Sequence, residues 1–265
     1  MPFDESGNIR FYTFESLDHL NLVHAIFTRS GGVSRTPYSS LNLGGTVGDD
    51  PSLVRKNREM AFSSVDLSPG SIFDVWQVHG DNVVCTDKPR PNNQLHEKAD
   101  AILTDLSGVT LFMRFADCVP ILLYDPIRSV IGIAHAGWKG TVQRTAEQTV
   151  KTMRERYGSK PANILAAIGP SIGPHHYEIG AVVELEVKKA FGQDANAVLD
   201  SENRNGTGVN LDLWAANEII LRQAGVQNIE IAAICTACHL EDWYSHRAEG
   251  GKTGRFGALI ALQSD

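Results

Sequence analysis

Two imidazoles and a thiol, His79, Cys118 and His135, stand in three apolar segments, VWQVHG, FADCVP and IAHAGW, each read as a strand ending in a polar residue. Their spacing is long and irregular, so no local zinc finger exists, and they would meet only through the tertiary fold. Imidazole nitrogen and thiolate sulfur suit a borderline-soft cation: Zn2+ first, with Cu2+ also accepted by such a set. Three protein ligands leave a fourth tetrahedral position for water, the catalytic zinc pattern, in which the bound water has a pKa of about 7. The same residues admit a second chemistry, a Cys118 nucleophile with His135 as its base, as in a cysteine hydrolase or deamidase. Taken one at a time, a buried Cys is a small hydrophobe and a lone His a hydrogen-bonded structural residue.

Other residues are candidates to complete such a site. Asp117 precedes Cys118 and has the chemistry to orient a ligand imidazole or to move a proton. Glu178 is a weaker acid–base candidate. The run His135-Ala-Gly-Trp-Lys139-Gly-Thr141 leads from a strand into a helix, where free N–H groups and the Lys139 charge would attract a phosphate; an ordinary strand–helix turn has the same sequence. Arg29, with Gly31, Gly32 and Asn42, forms a basic glycine-rich loop, and guanidinium suits phosphate. Arg58 joins this phosphate-binding set, whereas Arg55 and Lys56 read as the solvated face of a helix. Arg247 and Arg255 lie close together near the end. His175 and His176 follow Pro174 on a turn and are expected to diverge and not share an ion. Cys235-Thr-Ala-Cys238-His239 matches a haem-attachment pattern and also half of a zinc or redox pair, but the chain begins without an export signal and the match reads as coincidence.

Positioning such residues takes a sheet-rich core. Apolar runs at Val23–Thr28, Ser71–Gly80, Ala101–Asp105, Val109–Asp117, Val119–Asp125, Ser129–Gly137, Ile164–Pro170, Ile229–Thr236 and Arg255–Leu262 are rich in Val, Ile and Leu and bounded by Gly, Pro or Asp, as buried strands are. Helical spacing appears at Pro51–Phe62, Thr141–Tyr157 and Leu211–Ala224. The expected fold is α/β or α+β, a single layered sandwich domain over residues 1–265 with a mixed sheet core and outer helices. Lys88–Lys98 reads as a polar surface loop. Hydrophobic residues make up 42% of the 265 and charged residues 21%, an ordinary globular balance. A net charge of −7 argues against nucleic acid as partner. No apolar run approaches a membrane span. Four cysteines are too few for a disulfide scaffold, and the expected compartment is the cytoplasm. Oligomeric state stays open.

The segments WQVHG, FADCVPILLYDP, GIAHAGWKGT, AAIGPSIGPHHYEIG, NLDLWAAN and CTACHLEDWYSHRAEGGKTGRFGALIAL, with FYTFESL and TRSGGVSRTPYSSLNLG earlier, resemble the YfiH/YlmD family, also called the polyphenol oxidoreductase laccase-domain family. The resemblance covers nearly the whole chain. It implies an α/β sandwich with a His, Cys, His metal site, which maps onto His79, Cys118 and His135. It also implies purine nucleosides and phosphate as partners: phosphorolysis of adenosine, guanosine, inosine and methylthioadenosine, and deamination of adenosine. Copper-dependent polyphenol oxidation and correction of peptidoglycan precursors are further activities ascribed to the family. Its fold is similar to the catalytic domain of cytotoxic necrotizing factor, a cysteine deamidase. Where the family usually has two adjacent arginines, this chain has His246 and then Arg247. A multicopper oxidase needs a cluster of many histidines beyond its His2Cys site; nine are present, without an HxH pair.

Overall fold

The computed structural model describes residues 3–91, 93–200 and 208–263; Met1, Pro2 and Asn92, which the readings of the chain start and of the Lys88–Lys98 loop touch, lie outside them. Six strands form one sheet in the order β1 (Phe3–Ser6), β2 (Ile9–Tyr12), β3 (Leu22–Phe27), β15 (Phe256–Leu262), β7 (Thr110–Phe115), β4 (Ile72–Phe73). Six more form a second sheet in the order β14 (Asn228–Ile231), β10 (Leu165–Ile168), β8 (Val119–Asp125), β9 (Val130–Ala136), β6 (Ala101–Thr104), β5 (Val83–Cys85). A small third sheet contains β11 (Glu178–Ile179), β13 (Val209–Leu211) and β12 (Leu199–Asp200). Both large sheets are mixed: β4 with β7, β5 with β6 and β10 with β14 are parallel pairs among antiparallel ones. The helices are α1 (Pro51–Ser63), α2 (Trp138–Val142), α3 (Thr145–Tyr157), α4 (Ala181–Phe191), α5 (Ala195–Val198) and α6 (Leu213–Gln223).

The layering follows from alternation along the strands. On β7, Leu111, Met113 and Phe115 meet Leu122 and Tyr124 of β8 and Ile131 and Ile133 of β9 in a core between the two large sheets. Phe112 points the other way, against Ala61 and Phe62 of α1. On the far face of the second sheet, Ile121 and Leu123 of β8 and Val130 and Ala134 of β9 pack on α3, α4 and α6. The order is therefore helix, sheet, sheet, helices, the sandwich expected from the sequence. By the same alternation His135 shares the face of Ile131 and Ile133 and points between the sheets. A one-residue slip of β9 would turn it to the helix side.

Helix ends carry their expected signals. Asp50 caps α1 by accepting from Ser52 N–H at 2.7 Å, with Pro51 in the first turn. Asp212 caps α6 through Trp214 and Ala215 N–H. Gly158, at φ +71°, ends α3. Among the described residues no helix is long and apolar enough to cross a membrane.

Three expected elements come out differently. The Thr141–Tyr157 helix is broken: α2 stops at Val142, Arg144 turns left-handed at φ +62°, and α3 starts at Thr145. The break places the Thr145 hydroxyl 2.8 Å from the Gly80 carbonyl. The Ser71–Gly80 strand shrinks to Ile72–Phe73, because residues 74–82 leave the first sheet and cross to β5 in the second. The Ile229–Thr236 run keeps strand structure only to Ile231, after which Ala233 turns left-handed at φ +51°.

Candidate functional site

The crossing between β4 and β5 carries His79. A second crossing, from β7 in the first sheet to β8 in the second, carries Ala116, Asp117 and Cys118. His135 is the penultimate residue of β9 and faces the gap that both crossings close. The donor atoms of His79, Cys118 and His135 all lie within 4.8 Å of one another. The His79 and His135 rings stand edge to face at 4.9 Å, and Phe115 packs against His135 at 5.5 Å. His135 is buried, Cys118 half-buried and His79 exposed, so the donor set opens to solvent on one side.

One carboxylate fixes two of these residues. Asp100 is fully buried. It lies just before β6, and the antiparallel pairing of β6 with β9 sets it across from His135. Its Oδ1 is 2.8 Å from His135 Nδ1, which directs Nε2 toward Cys118. The same carboxylate accepts the backbone N–H groups of Val78 (3.1 Å), His79 (2.9 Å) and Gly80 (2.7 Å). Those bonds hold His79 in its left-handed conformation, φ +61°, a cost a non-glycine residue bears only under such constraint. Burial works against the Asp100 charge, but the His135 and backbone hydrogen bonds outweigh it and hold its carboxyl below the usual carboxylate range.

Electrostatics prepare the thiol. Burial alone would push the Cys118 thiol up; the His135 charge and hydrogen bonds from both histidines outweigh it and bring it down to about 6. Burial disfavours charge on His135, yet the Cys118 thiolate and the Asp100 carboxylate raise it to about 9. A thiolate at neutral pH is a ligand form; His135, protonated beside it, becomes one when a cation displaces its Nε2 proton, with Nδ1–H held by the carboxylate. With ligand bonds of about 2.0–2.3 Å, tetrahedral donors stand about 3.3–3.6 Å apart, compatible with the spread seen here. The residues fit a zinc ion. Gly137 makes the approach possible: a Cβ there would fall 2.8 Å from Cys118 Sγ and 3.5 Å from His79 Cδ2.

The donor set lines a cleft of about 420 Å³ together with Arg58, Asp74, Trp76, Arg90, Arg114 and Arg255. Asp74 is fully buried. It pairs with Arg90 Nε at 2.8 Å, with Arg114 and with His96 at 3.2 Å. Burial opposes its charge, but these partners keep its carboxyl far below the usual range. Burial, with repulsion from Arg114 and Arg90, pushes Arg58 down to about 10. Four guanidinium groups against the Asp74 carboxylate leave the cleft strongly positive beside the donor set, on a chain of net charge −7. Trp76 is 50% exposed at this opening.

Of the anion-binding residues expected from the sequence, the structure brings Arg58 and Arg255 into the cleft and not Arg29, Asn42, Lys139 or Arg247. Arg29 pairs with Glu249 at 3.1 Å, bonds the Ser39 and Leu240 carbonyls and stacks over Tyr244. Asn42 is buried and shapes the cleft wall, its Oδ1 accepting from Gly44 and Arg255 N–H. Lys139 is exposed over Trp138. Arg247 donates Nη1 to the Glu178 carbonyl and lies over Tyr177; Glu178, exposed on β11, and exposed His246 are also outside the cleft lining.

Asp117 stands in a left-handed conformation, φ +80°. Its Oδ1 accepts from Thr236 Oγ1 at 2.7 Å and its Oδ2 from Arg247 N–H at 2.6 Å. The carboxylate that orients His135 is Asp100, which sequence reasoning passed over along with Arg90, Arg114, Asp74, His96 and Trp76. The Lys88–Lys98 loop is more than polar surface, since its Arg90 and His96 reach the cleft. His175 and His176 do not diverge: their rings are 4.7 Å apart, and their nitrogens lie with the Cys235 and Cys238 sulfurs in a second donor cluster.

A family model described as multi-copper polyphenol oxidoreductase laccase matches residues 23–263. The chain is 39% identical over 92% of its length to a protein of Deinococcus radiodurans named purine nucleoside phosphorylase, covering 90% of that protein. It is 35% identical to Bacillus subtilis purine nucleoside phosphorylase YlmD, over 89% of this chain and 87% of the relative. Among solved structures, YlmD from Geobacillus stearothermophilus superposes with a TM-score of 0.91 at 31% identity, and Bacillus licheniformis hypothetical protein YfiH with 0.90 at 31%; each covers 99% of both chains. Sequence and fold agree: the chain belongs to the laccase-domain family that includes YfiH and YlmD.

Proposed function

We propose that the protein is a zinc-dependent purine nucleoside phosphorylase acting on adenosine, inosine, guanosine and methylthioadenosine, with deamination of adenosine as a second activity. The observation that carries the reading is one cleft joining the His79, Cys118, His135 donor set to Arg58, Arg90, Arg114 and Arg255. The names of the relatives from Deinococcus radiodurans and Bacillus subtilis support it.

In phosphorolysis a phosphate oxygen bonds to ribose C1′ as the bond from C1′ to the purine N9 breaks. The electron pair leaves with the purine, which takes up a proton, and ribose 1-phosphate remains. The arginines hold the phosphate dianion and orient it for that attack. Trp76 offers an indole face for the purine. His79, Cys118 and His135 would hold a zinc ion, which would supply a Lewis acid for developing negative charge, and Asp100 holds the two histidines. Asp117, tied to Thr236 and Arg247, fixes the turn that presents Cys118. In deamination water replaces phosphate as the attacking group, at C6 of adenosine, and ammonia leaves.

A second reading has a specific observation behind it. Cys118, His135 and Asp100 follow the order nucleophile, base and orienting carboxylate. A thiol hydrolase would use all three, but it has no task for His79, which the Asp100 carboxylate also positions. Phenol oxidation by a multicopper centre needs a histidine-rich cluster; among the described residues the His and Cys clusters are the two above.

Incubation of the zinc-loaded protein with inosine, with and without inorganic phosphate, tests the proposal. Hypoxanthine and ribose 1-phosphate should form in equal amounts and only with phosphate. Base release indifferent to phosphate, or none, overturns it.

A further inference from the structure

Two turns outside the cleft bring four soft donors together. The first, Gly173 to Tyr177, carries His175 and His176. The second is the Cys235-Thr-Ala-Cys238 turn, closed by Cys238 N–H on the Cys235 carbonyl at 3.2 Å. Ser171 fastens one turn to the other. Its N–H donates to the Ile234 carbonyl at 3.1 Å, its carbonyl accepts Thr236 N–H at 3.0 Å, and its hydroxyl accepts Trp214 Nε1–H at 2.6 Å.

Within this frame His175 Nε2 is 3.0 Å from Cys238 Sγ, and His176 Nδ1 is 3.5 Å from both Cys235 Sγ and Cys238 Sγ. All four donor atoms lie within 4.8 Å of one another. A tetrahedral ion with bonds of about 2.3 Å to sulfur and about 2.0–2.1 Å to nitrogen sets nitrogen and sulfur about 3.6 Å apart; both His176 contacts match that spacing, and the His175–Cys238 contact is shorter than it. We propose that His175, His176, Cys235 and Cys238 form a second, structural zinc site.

Three further features belong to such a site. The two cysteines have the C-x2-C spacing of zinc knuckles. Gly173 N–H donates to Cys235 Sγ at 3.2 Å, the kind of backbone bond that stabilises a ligand thiolate. Gly173 must also be glycine for the turns to close, since a Cβ there would fall 2.8 Å from His175 Cε1 and 3.1 Å from Cys235 Cβ. The histidine next to the motif, His239, is outside the cluster and pairs with Glu241 at 3.2 Å, so the resemblance to haem attachment is incidental and the metal-ligand spacing is not. Four protein ligands close the coordination sphere, which assigns the ion a structural role. Thr236, inside the cysteine turn, donates to Asp117 beside Cys118; the ion would hold the turn that steadies the catalytic one.

The test is metal stoichiometry in the full-length protein, reduced, stripped with a chelator, and titrated with Co2+ and then Zn2+. Wild type should bind two ions per chain. Cys118→Ala should keep one, and its cobalt spectrum should show two thiolates. Cys235→Ser/Cys238→Ser should also keep one, with a single-thiolate spectrum. His175→Gln, an exposed change that leaves both cysteines, should weaken only the two-thiolate site. One ion per reduced wild-type chain that the double variant retains overturns the proposal, as does a two-ion stoichiometry unchanged in the double variant. A Cys235–Cys238 disulfide in place of metal in freshly purified protein overturns it as well.

Discussion

Asp100 Oδ1 lies 2.8 Å from His135 Nδ1, and the same buried carboxylate accepts the N–H of His79 at 2.9 Å. Two of the three ligands of the candidate metal centre therefore depend on one side chain that does not itself join the donor set. Asp100→Asn keeps one acceptor oxygen but turns an NH2 group toward N–H donors. Metal affinity at this centre should fall about 10- to 100-fold. A competition titration against a chromophoric chelator reads it, and unchanged affinity would remove Asp100 from its orienting role.

Gly137→Ala tests the close approach of backbone to ligands. The added methyl would sit 2.8 Å from Cys118 Sγ. Overpacking of this kind costs about 1–3 kcal/mol, and here the Cys118 thiolate is the group displaced. The variant should fold with a lowered urea midpoint and lose metal at this centre. A variant that kept wild-type metal affinity would show that the Gly137 backbone does not constrain the site.

Arg58→Met tests the anion-binding half of the cleft. Methionine retains apolar packing near Phe112, over which the guanidinium lies at 5.5 Å, and removes the charge. A charge-assisted hydrogen bond is worth about 1.5–3 kcal/mol, so KM for phosphate should rise about 10- to 100-fold while metal content stays the same. Steady-state kinetics with phosphate as the varied substrate measures it. An unchanged KM would place the phosphate elsewhere.

His24 gives a prediction about acid stability. It is buried, and its Nε2 accepts Phe14 N–H at 2.8 Å, so the ring is neutral in the fold. Burial pushes it down from the usual 6.5 to about 4, outweighing the Glu230 charge, and Asp18 lies 3.9 Å away. The folded state thus binds fewer protons than the unfolded chain between these values. The stabilisation is complete above pH 6.5 and is lost as pH falls toward 4, by about 3 kcal/mol. Urea unfolding of wild type and His24→Gln at pH 7.5 and 4.5 measures it. Wild type should lose more stability on acidification than the variant; equal losses would contradict the assignment.

The cluster of His79, Cys118 and His135 was legible because residue type carries its chemistry: imidazole and thiol at the ends of apolar runs are conspicuous. The strands around them were legible for a related reason, since β8, β9 and β15 are buried along their whole length and read as unbroken apolar runs. Asp100 was not legible. An aspartate ahead of an apolar strand resembles a turn boundary, and its partner is set by the pairing of Ala101 with Ala134, which no local pattern announces. Arg90 was hidden in a proline-rich loop. Arg114 did leave a signal, a charge inside the apolar run VTLFMRFAD that only a buried partner such as Asp74 explains. The divergence expected of His175 and His176 failed because the short turn from Pro174 to His176 gathers both rings on one side.

Cys118→Ala measures the central claim most directly, because Cys118 is a ligand in the metal account and the nucleophile in the thiol account. Metal content at this centre and phosphate-dependent release of hypoxanthine from inosine should be read on the same preparation, beside wild-type protein treated with an alkylating agent while zinc is bound. The account predicts that Cys118→Ala loses this metal and its turnover together, and that bound zinc shields the thiol from alkylation. A variant that kept both, or a wild-type protein inactivated by alkylation of Cys118 with its zinc still in place, would contradict it.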